Sequence, residues 1–246
     1  MATNTERRKA LPGRLEAVLE LVPEDANTVA DIGYDHGYAL VLAAQKLPEA
    51  NLCGVEKIPG AARRFYTQAV SPDLLERIEL FDGDGFQPIT HRPLDAAILA
   101  GMGEATIIRI ASMHPQLTEK VKRLVVCTPQ MPAVLRPAFA RLGYGIADER
   151  LAYDGRRFYE VVAFERGCAP CTDPLELLFG PTLLAHPCCA EYVDHRRDDW
   201  KSLLDYHGPH LSPLEEWPEP SADAAGEFQR IKVRALDEAR RRVRQR

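Results

Sequence analysis

Along the first two-thirds of the chain, short apolar runs alternate with longer stretches whose apolar residues recur at helical spacing. Leu11, Leu15, Val18, Leu19 and Val22 stand three and four residues apart, which predicts an amphipathic helix ending before Pro23. Asn27–Ile32 is an apolar run of strand length, and Ala39–Leu47, rich in alanine and leucine and closed by Pro48, is the helix after it. The alternation continues with strands expected at Asn51–Val55, Ile78–Phe81, Leu94–Ala100 and Arg123–Cys127, and helices at Pro59–Val70, Ala105–Ser112 and Pro132–Leu142. Proline at the first turn suits the first and last of these helices. Gly145–Tyr153 and Phe158–Phe164 flank Asp154-Gly155, a turn signal, and predict a closing hairpin.

Strands separated by helices build a parallel sheet covered on both faces, and the hairpin adds one antiparallel edge strand. The pattern changes after Arg166–Pro174, which reads as a linker. Beyond it come apolar Leu175–Leu184, a helix at Cys189–Tyr206, a proline-rich break at Pro209–Pro220 and a last helix at Ala222–Arg244. Phe228, Ile231, Ala235, Leu236 and Ala239 form a stripe on that helix. Two domains are expected: an α/β Rossmann-like domain over residues 1–166 and a helical appendage over 175–246.

Composition adds limits. The 246 residues are 46% hydrophobic and 27% charged, ordinary for a globular protein, and no apolar run approaches the roughly 20 residues needed to cross a bilayer. The polar, basic start lacks the apolar core of a secretory signal, so a cytoplasmic protein with six reduced cysteines and no membrane partner is expected. Net charge is −5, unevenly spread. Arg7, Arg8, Lys9 and Arg14 face only Glu6 at the start, and residues 228–246 hold eight Arg or Lys against Asp237 and Glu238. Such ends suit nucleic-acid phosphates, or are solvated helix faces.

The chemistry gathers where strands end, the place where open α/β sheets bind ligands. The first strand runs into Asp31-Ile32-Gly33-Tyr34-Asp35-His36-Gly37-Tyr38, a glycine-bracketed turn that opens a helix. A dinucleotide site wants a third glycine, and the acids Asp31 and Asp35 repel a pyrophosphate. They suit a cation, and S-adenosylmethionine carries a sulfonium and an ammonium group without phosphate. Glu56, ending the second strand, fits a ribose with both hydroxyls donating to its carboxylate, or else pairs with Lys57 or Arg63 at the surface. Asp84, between Gly83 and Gly85, is placed to accept from the adenine amine, or forms a plain turn. Asp35 faces the methionine end or caps the next helix. Gly101-Met102-Gly103 permits close backbone approach where donor and acceptor meet, Met102 itself reading as core. His36 is a weaker candidate for contact with either substrate. Together with the strand order, these residues predict a class I S-adenosylmethionine-dependent methyltransferase. The donor set is Asp31, Gly33, Asp35, His36, Gly37, Glu56, Asp84, Gly101 and Gly103. Cys168, Cys171, His186, Cys188 and Cys189 have irregular spacing broken by Pro170 and Pro187, and no metal site is expected.

The sequence resembles the bacterial tRNA adenine-N1 methyltransferases that modify adenine 22. The resemblance rests on Leu11-Pro12-Gly13-Arg14-Leu15, on Asp31 to Tyr38 with its Asp35-His36 pair, on Gly83-Asp84-Gly85 and on Ala100-Gly101-Met102-Gly103. Asp154-Gly155, Tyr159-Glu160 and Phe179-Gly180-Pro181 also match, and the family's coiled-coil-like C-terminal domain matches from about residue 175. It implies S-adenosylmethionine as cofactor, tRNA as partner and methyl transfer to adenine N1. Two positions depart from the family pattern: Glu104 stands for a glycine, and Thr128-Pro129-Gln130 for Gln-Pro-Asn. Both bear on the acceptor side. The product carries positive charge, and the Gly101–Gly103 backbone, Asp35, Glu104 and Gln130 are the candidates to stabilise it. The competing readings are a methyltransferase for another base or a small molecule, and a catalytically silent RNA-binding protein on the same fold.

Overall fold

The computed structural model describes residues 11–58, 60, 72–113, 119–128, 135–155, 157–169, 176, 179–189 and 191–195. The expected helix at Pro59–Val70 apart from Gly60, the helix at Ala222–Arg244, the proline-rich break, Arg7, Arg8 and Lys9, the basic C-terminal end, most of Cys189–Tyr206, and Pro129 and Gln130 lie outside the described residues. The chain divides into two compact units, Leu11–Cys171 and a second that holds Thr172–Arg246.

In the first unit, the expected alternation becomes α1 (Arg14–Glu20), β1 (Thr28–Ile32), α2 (Tyr38–Lys46), β2 (Asn51–Glu56), α3 (Pro72–Leu75), β3 (Ile78–Asp82), β4 (Leu94–Ala100), α4 (Glu104–Met113), β5 (Val121–Cys127), α5 (Leu135–Arg141), β6 (Tyr144–Asp154) and β7 (Arg157–Arg166). The single turn α3 and a 3₁₀ turn at Gln87–Ile89 have no counterpart in the sequence reading, because one turn is too short for apolar periodicity to register. The seven strands form one sheet in the order β3-β2-β1-β4-β5-β7-β6. β1 to β5 are parallel, and β7 runs antiparallel to both β5 and β6. The antiparallel strand therefore lies one place inside the sheet edge. The order reverses direction between β1 and β4, and a crevice opens at such a point.

The strands read as continuous apolar runs because they are buried on both faces. Val29, Ala96, Ile98, Val125 and Val161 pack on one face with Ala17, Val18, Leu19, Leu40 and Ala43 from α1 and α2. Ala30, Ala97, Leu99, Leu124 and Val162 pack on the other with Ile107, Ile110, Leu135 and Phe139 from α4 and α5. Basic side chains close two helix ends, whose last carbonyls lack intrahelical donors. Lys46 Nζ donates to the carbonyls of Leu19 and Val22 after α1, and Arg77 donates to those of Ala44, Leu47 and Ala50 at the end of α2.

A buried ion cluster ties α5 to the β6–β7 pair. Arg136 Nη2 donates to Glu149 Oε1 at 2.8 Å and to Glu160 Oε2 at 2.6 Å, and all three side chains are almost fully excluded from solvent. In the second unit, the described residues include α6 (Pro181–Leu184) and helical residues 191–195, with Phe179 and Tyr192 edge-to-face at 6.3 Å. No helix among the described residues is long and apolar enough to cross a membrane.

Candidate functional site

A cavity of about 510 Å³ opens at the carboxyl ends of β1, β2, β3 and β4. Eight of the nine donor-set residues line it: Asp31, Gly33, Asp35, His36, Glu56, Asp84, Gly101 and Gly103. Gly37 does not line it. It stands behind the turn as the residue before α2, where its φ of 73° lets the chain enter the helix, and no side chain caps that helix end.

Asp31 ends β1 almost wholly buried, and Glu56 ends β2 equally enclosed. Burial pushes the Asp31 carboxyl up from its usual 3.8 to about 7, and the adjacent charge of Glu56 pushes the same way. This is a site that favours an incoming cation. The raised value also links stability to pH. The native state keeps the Asp31 proton up to about pH 7, whereas the unfolded chain releases it near 3.8. The stabilisation is thus complete below about pH 4 and lost as pH rises through about 7. We expect wild-type protein to lose stability relative to Asp31→Asn between pH 4.5 and 7.5. Denaturant unfolding of both proteins across that range measures it, and a constant difference contradicts it.

Glu56 does not pair with Lys57 in this structure. Its Oε2 accepts from the Asp35 N–H at 3.3 Å and its Oε1 from the Ile58 N–H at 2.9 Å. The carboxylate is therefore held in one orientation at the cavity wall, with acceptor capacity remaining on each oxygen. Asp35 is the one described non-glycine residue with a left-handed backbone, at φ 44°. Such strain persists where surrounding structure fixes it, and the Glu56 bond is part of that fixation. Gly33 turns away from β1 at φ 83°, and a Cβ there would lie 3.3 Å from Met102 Sδ. The two glycine-bearing turns after β1 and β4 thus meet across the cavity floor. Met102 both lines the cavity and packs on the core face of α4.

His36 and Tyr38 stand with ring centroids 5.9 Å apart, and Tyr38 is among the most exposed large side chains. His36 Nε2 lies 3.6 Å from Asp35 Oδ2. Asp84 is gripped by Arg109 of α4, with two N–H···O bonds of 2.9 Å that hold its carboxyl below the usual range. Arg14, Lys57, Thr106 and Arg109 also line the cavity, and the motif reading left all four out of the donor set. Only Arg14 carried a signal there, through the motif around Leu11-Pro12-Gly13-Arg14.

The acceptor candidates divide. Glu104 begins α4 and lies outside the lining; the buried Thr128 hydroxyl donates toward its Oε2 at 3.5 Å. The two departures from the family pattern therefore meet in space. Gln130 lies outside the described residues. Of the cysteines, Cys168 belongs to the first unit and is half-buried, Cys188 and Cys189 are buried in the second, and Cys171 lies outside the described residues.

The arrangement offers a cation-favouring floor, a fixed carboxylate at the end of β2 and a second carboxylate between close-packed glycines. The family described as "Methyltransferase domain" matches residues 11–162. The tRNA (adenine(22)-N(1))-methyltransferase of Bacillus subtilis (strain 168) is 30% identical over 158 residues, which span 64% of this chain and 66% of that protein. Among solved structures, the M1A22 tRNA methyltransferase TrmK of B. subtilis has a TM-score of 0.73 at 22% identity, covering 94% of this chain and 98% of that one. Streptococcus pneumoniae Sp1610 in complex with S-adenosyl-L-methionine has a TM-score of 0.74 at 20% identity, covering 92% and 98%. M. capricolum TrmK in complex with S-adenosyl-homocysteine has a TM-score of 0.71 at 17% identity, covering 94% and 96%.

Proposed function

Because the chain belongs to the methyltransferase-domain family, we propose that it transfers a methyl group from S-adenosylmethionine to N1 of an adenine in tRNA. The observation that carries the donor reading is the pair of buried carboxylates, Asp31 and Glu56, side by side at one end of the cavity. Two enclosed acids fit a ligand that brings its own positive charge and hydroxyl donors. S-adenosylmethionine supplies an activated methyl group on sulfur. Asp31 gives its proton to solvent as the ligand's ammonium arrives and then faces that charge. Glu56 accepts from the ribose hydroxyls while the Asp35 and Ile58 amides hold it still. Gly33 and Gly101 keep the turns free of side chains where the reacting groups meet.

The choice of acceptor follows from the B. subtilis relative, an adenine-22-N1 methyltransferase acting on tRNA. Adenine N1 lies on the pairing edge, so the base must leave its stack before it reacts. N1 is a nucleophile as it stands, and no general base is required. What the chain contributes is alignment, worth several kcal/mol of the barrier when reacting atoms are held at attack distance. The exposed His36–Tyr38 pair at the rim and the basic chain ends are where RNA would be held. We place this activity in the cytoplasm, where tRNA is modified.

Labelled S-adenosylmethionine incubated with bulk tRNA and the protein should yield 1-methyladenosine on nucleoside analysis. Label in another nucleoside moves the acceptor to a different base. Donor binding by calorimetry without any transfer to tRNA leaves a small-molecule methyltransferase.

A further inference from the structure

Arg109 sits about one and a half turns into α4, just past the glycine turn after β4, and it fixes a cavity carboxylate that comes from the turn after β3. Nη1 and Nη2 each donate to a different oxygen of Asp84 at 2.9 Å, the planar fork that only arginine forms. Nη1 also contacts Met113 Sδ at 2.7 Å. Asp84 and Arg109 are 36% and 40% exposed, and a pair that open to water adds little to stability. What it does fix is the plane of the carboxylate.

The walls beside Asp84 are tight. A Cβ on Gly83 would lie 2.9 Å from Pro88 Cδ, and one on Gly85 would lie 2.9 Å from Ile110 Cγ2. A planar ring seated against this wall meets Asp84 with little room to slide. We propose, on the basis of the donor reading above, that Arg109 is a positioning residue that holds the Asp84 carboxylate in one plane and so sharpens its selection of a 6-amino purine over a 6-oxo purine. An ionised carboxylate accepts from an exocyclic amine and has nothing to donate to a carbonyl. Without the fork the Asp84 carboxylate turns freely, and the discrimination between the 6-amino and 6-oxo groups relaxes. Lys57 is the other nearby cation acting on Asp84, and it acts without a hydrogen bond to it.

The test compares S-adenosylhomocysteine with S-inosylhomocysteine by calorimetry. Their affinity ratio cancels Asp31, Glu56 and everything at the ribose and amino-acid ends. Wild type should favour the adenosyl ligand by roughly 100-fold or more, since a site built around one hydrogen bond rejects its mismatch strongly. Arg109→Ala should lower that ratio at least about tenfold, and Arg109→Lys should fall between the two. Asp84→Asn, which can also donate, should bring the ratio to within about threefold of one. Arg109→Ala weakening both ligands in equal proportion, or leaving the ratio unchanged, overturns the proposal, as does a wild type that binds both alike. Wild type binding neither ligand is instead the failure of the donor reading.

Discussion

Glu56→Ala should weaken S-adenosylmethionine binding by roughly 150-fold or more, the largest loss expected from any single side chain in the cavity. Two hydrogen bonds from ribose hydroxyls to a carboxylate are charge-assisted, each worth about 1.5–3 kcal/mol when the partner is removed. The substitution also releases the Asp35 and Ile58 amides, which both donate to this carboxylate. Asp35 holds a left-handed backbone, so the turn loses one of its constraints as the ligand loses its anchor. Glu56→Gln separates the two effects. It keeps the shape but places an NH₂ where one amide now donates, and about tenfold of the loss should remain. Isothermal titration of the three proteins gives the numbers. A Glu56→Ala protein that binds within threefold of wild type would falsify the ribose assignment.

Arg136→Met should destabilise the fold by about 3–5 kcal/mol, because it leaves Glu149 and Glu160 buried without the cation between them. Burial of the arginine alone would be unfavourable; the two carboxylates are what keep it charged. Adding Glu149→Gln and Glu160→Gln to Arg136→Met should restore part of the loss at neutral pH. None of the three residues lines the cavity, so donor affinity at a temperature where the variant is folded should stay near wild type. Urea denaturation measures the first effect, and a change under 1 kcal/mol contradicts it.

These two residues also mark the limit of what the sequence discloses. Glu56 was legible because position and chemistry agree: an acid directly after an apolar strand, in a fold whose ligands sit at strand ends. Asp31, Gly33, Asp84 and Gly101 were legible for the same reason, and the sheet was legible because strands buried on both faces are apolar throughout. Arg136 was not. A charged residue on a helix reads as a solvent-facing position, and only tertiary packing places it against two glutamates on later strands. Arg109 is hidden in the same way, as one charge on a helix, 25 residues beyond the aspartate it grips. Gly37 shows the converse. It belongs to the recognisable turn, but its left-handed backbone serves the entry to α2 and not the cavity wall. The position of β7 was only partly visible, since a hairpin signal says that two strands pair and not which of them adjoins β5.

That placement has a consequence for how the molecule is made. Synthesis delivers every described residue lining the cavity by Ile110, well before the last two strands exist. Until β7 is made, β5 offers Leu124, Val125 and Val126 on an unpaired border, because its neighbour in the finished sheet is the last of the seven strands to appear. β6 cannot shield that border meanwhile, since it joins the sheet only through β7. A growing or truncated chain that stops after Arg141 thus has the whole described cavity wall but an open, apolar strand edge, which invites pairing with other chains. The hairpin that looks like an accessory to the site is what closes that edge once synthesis is complete.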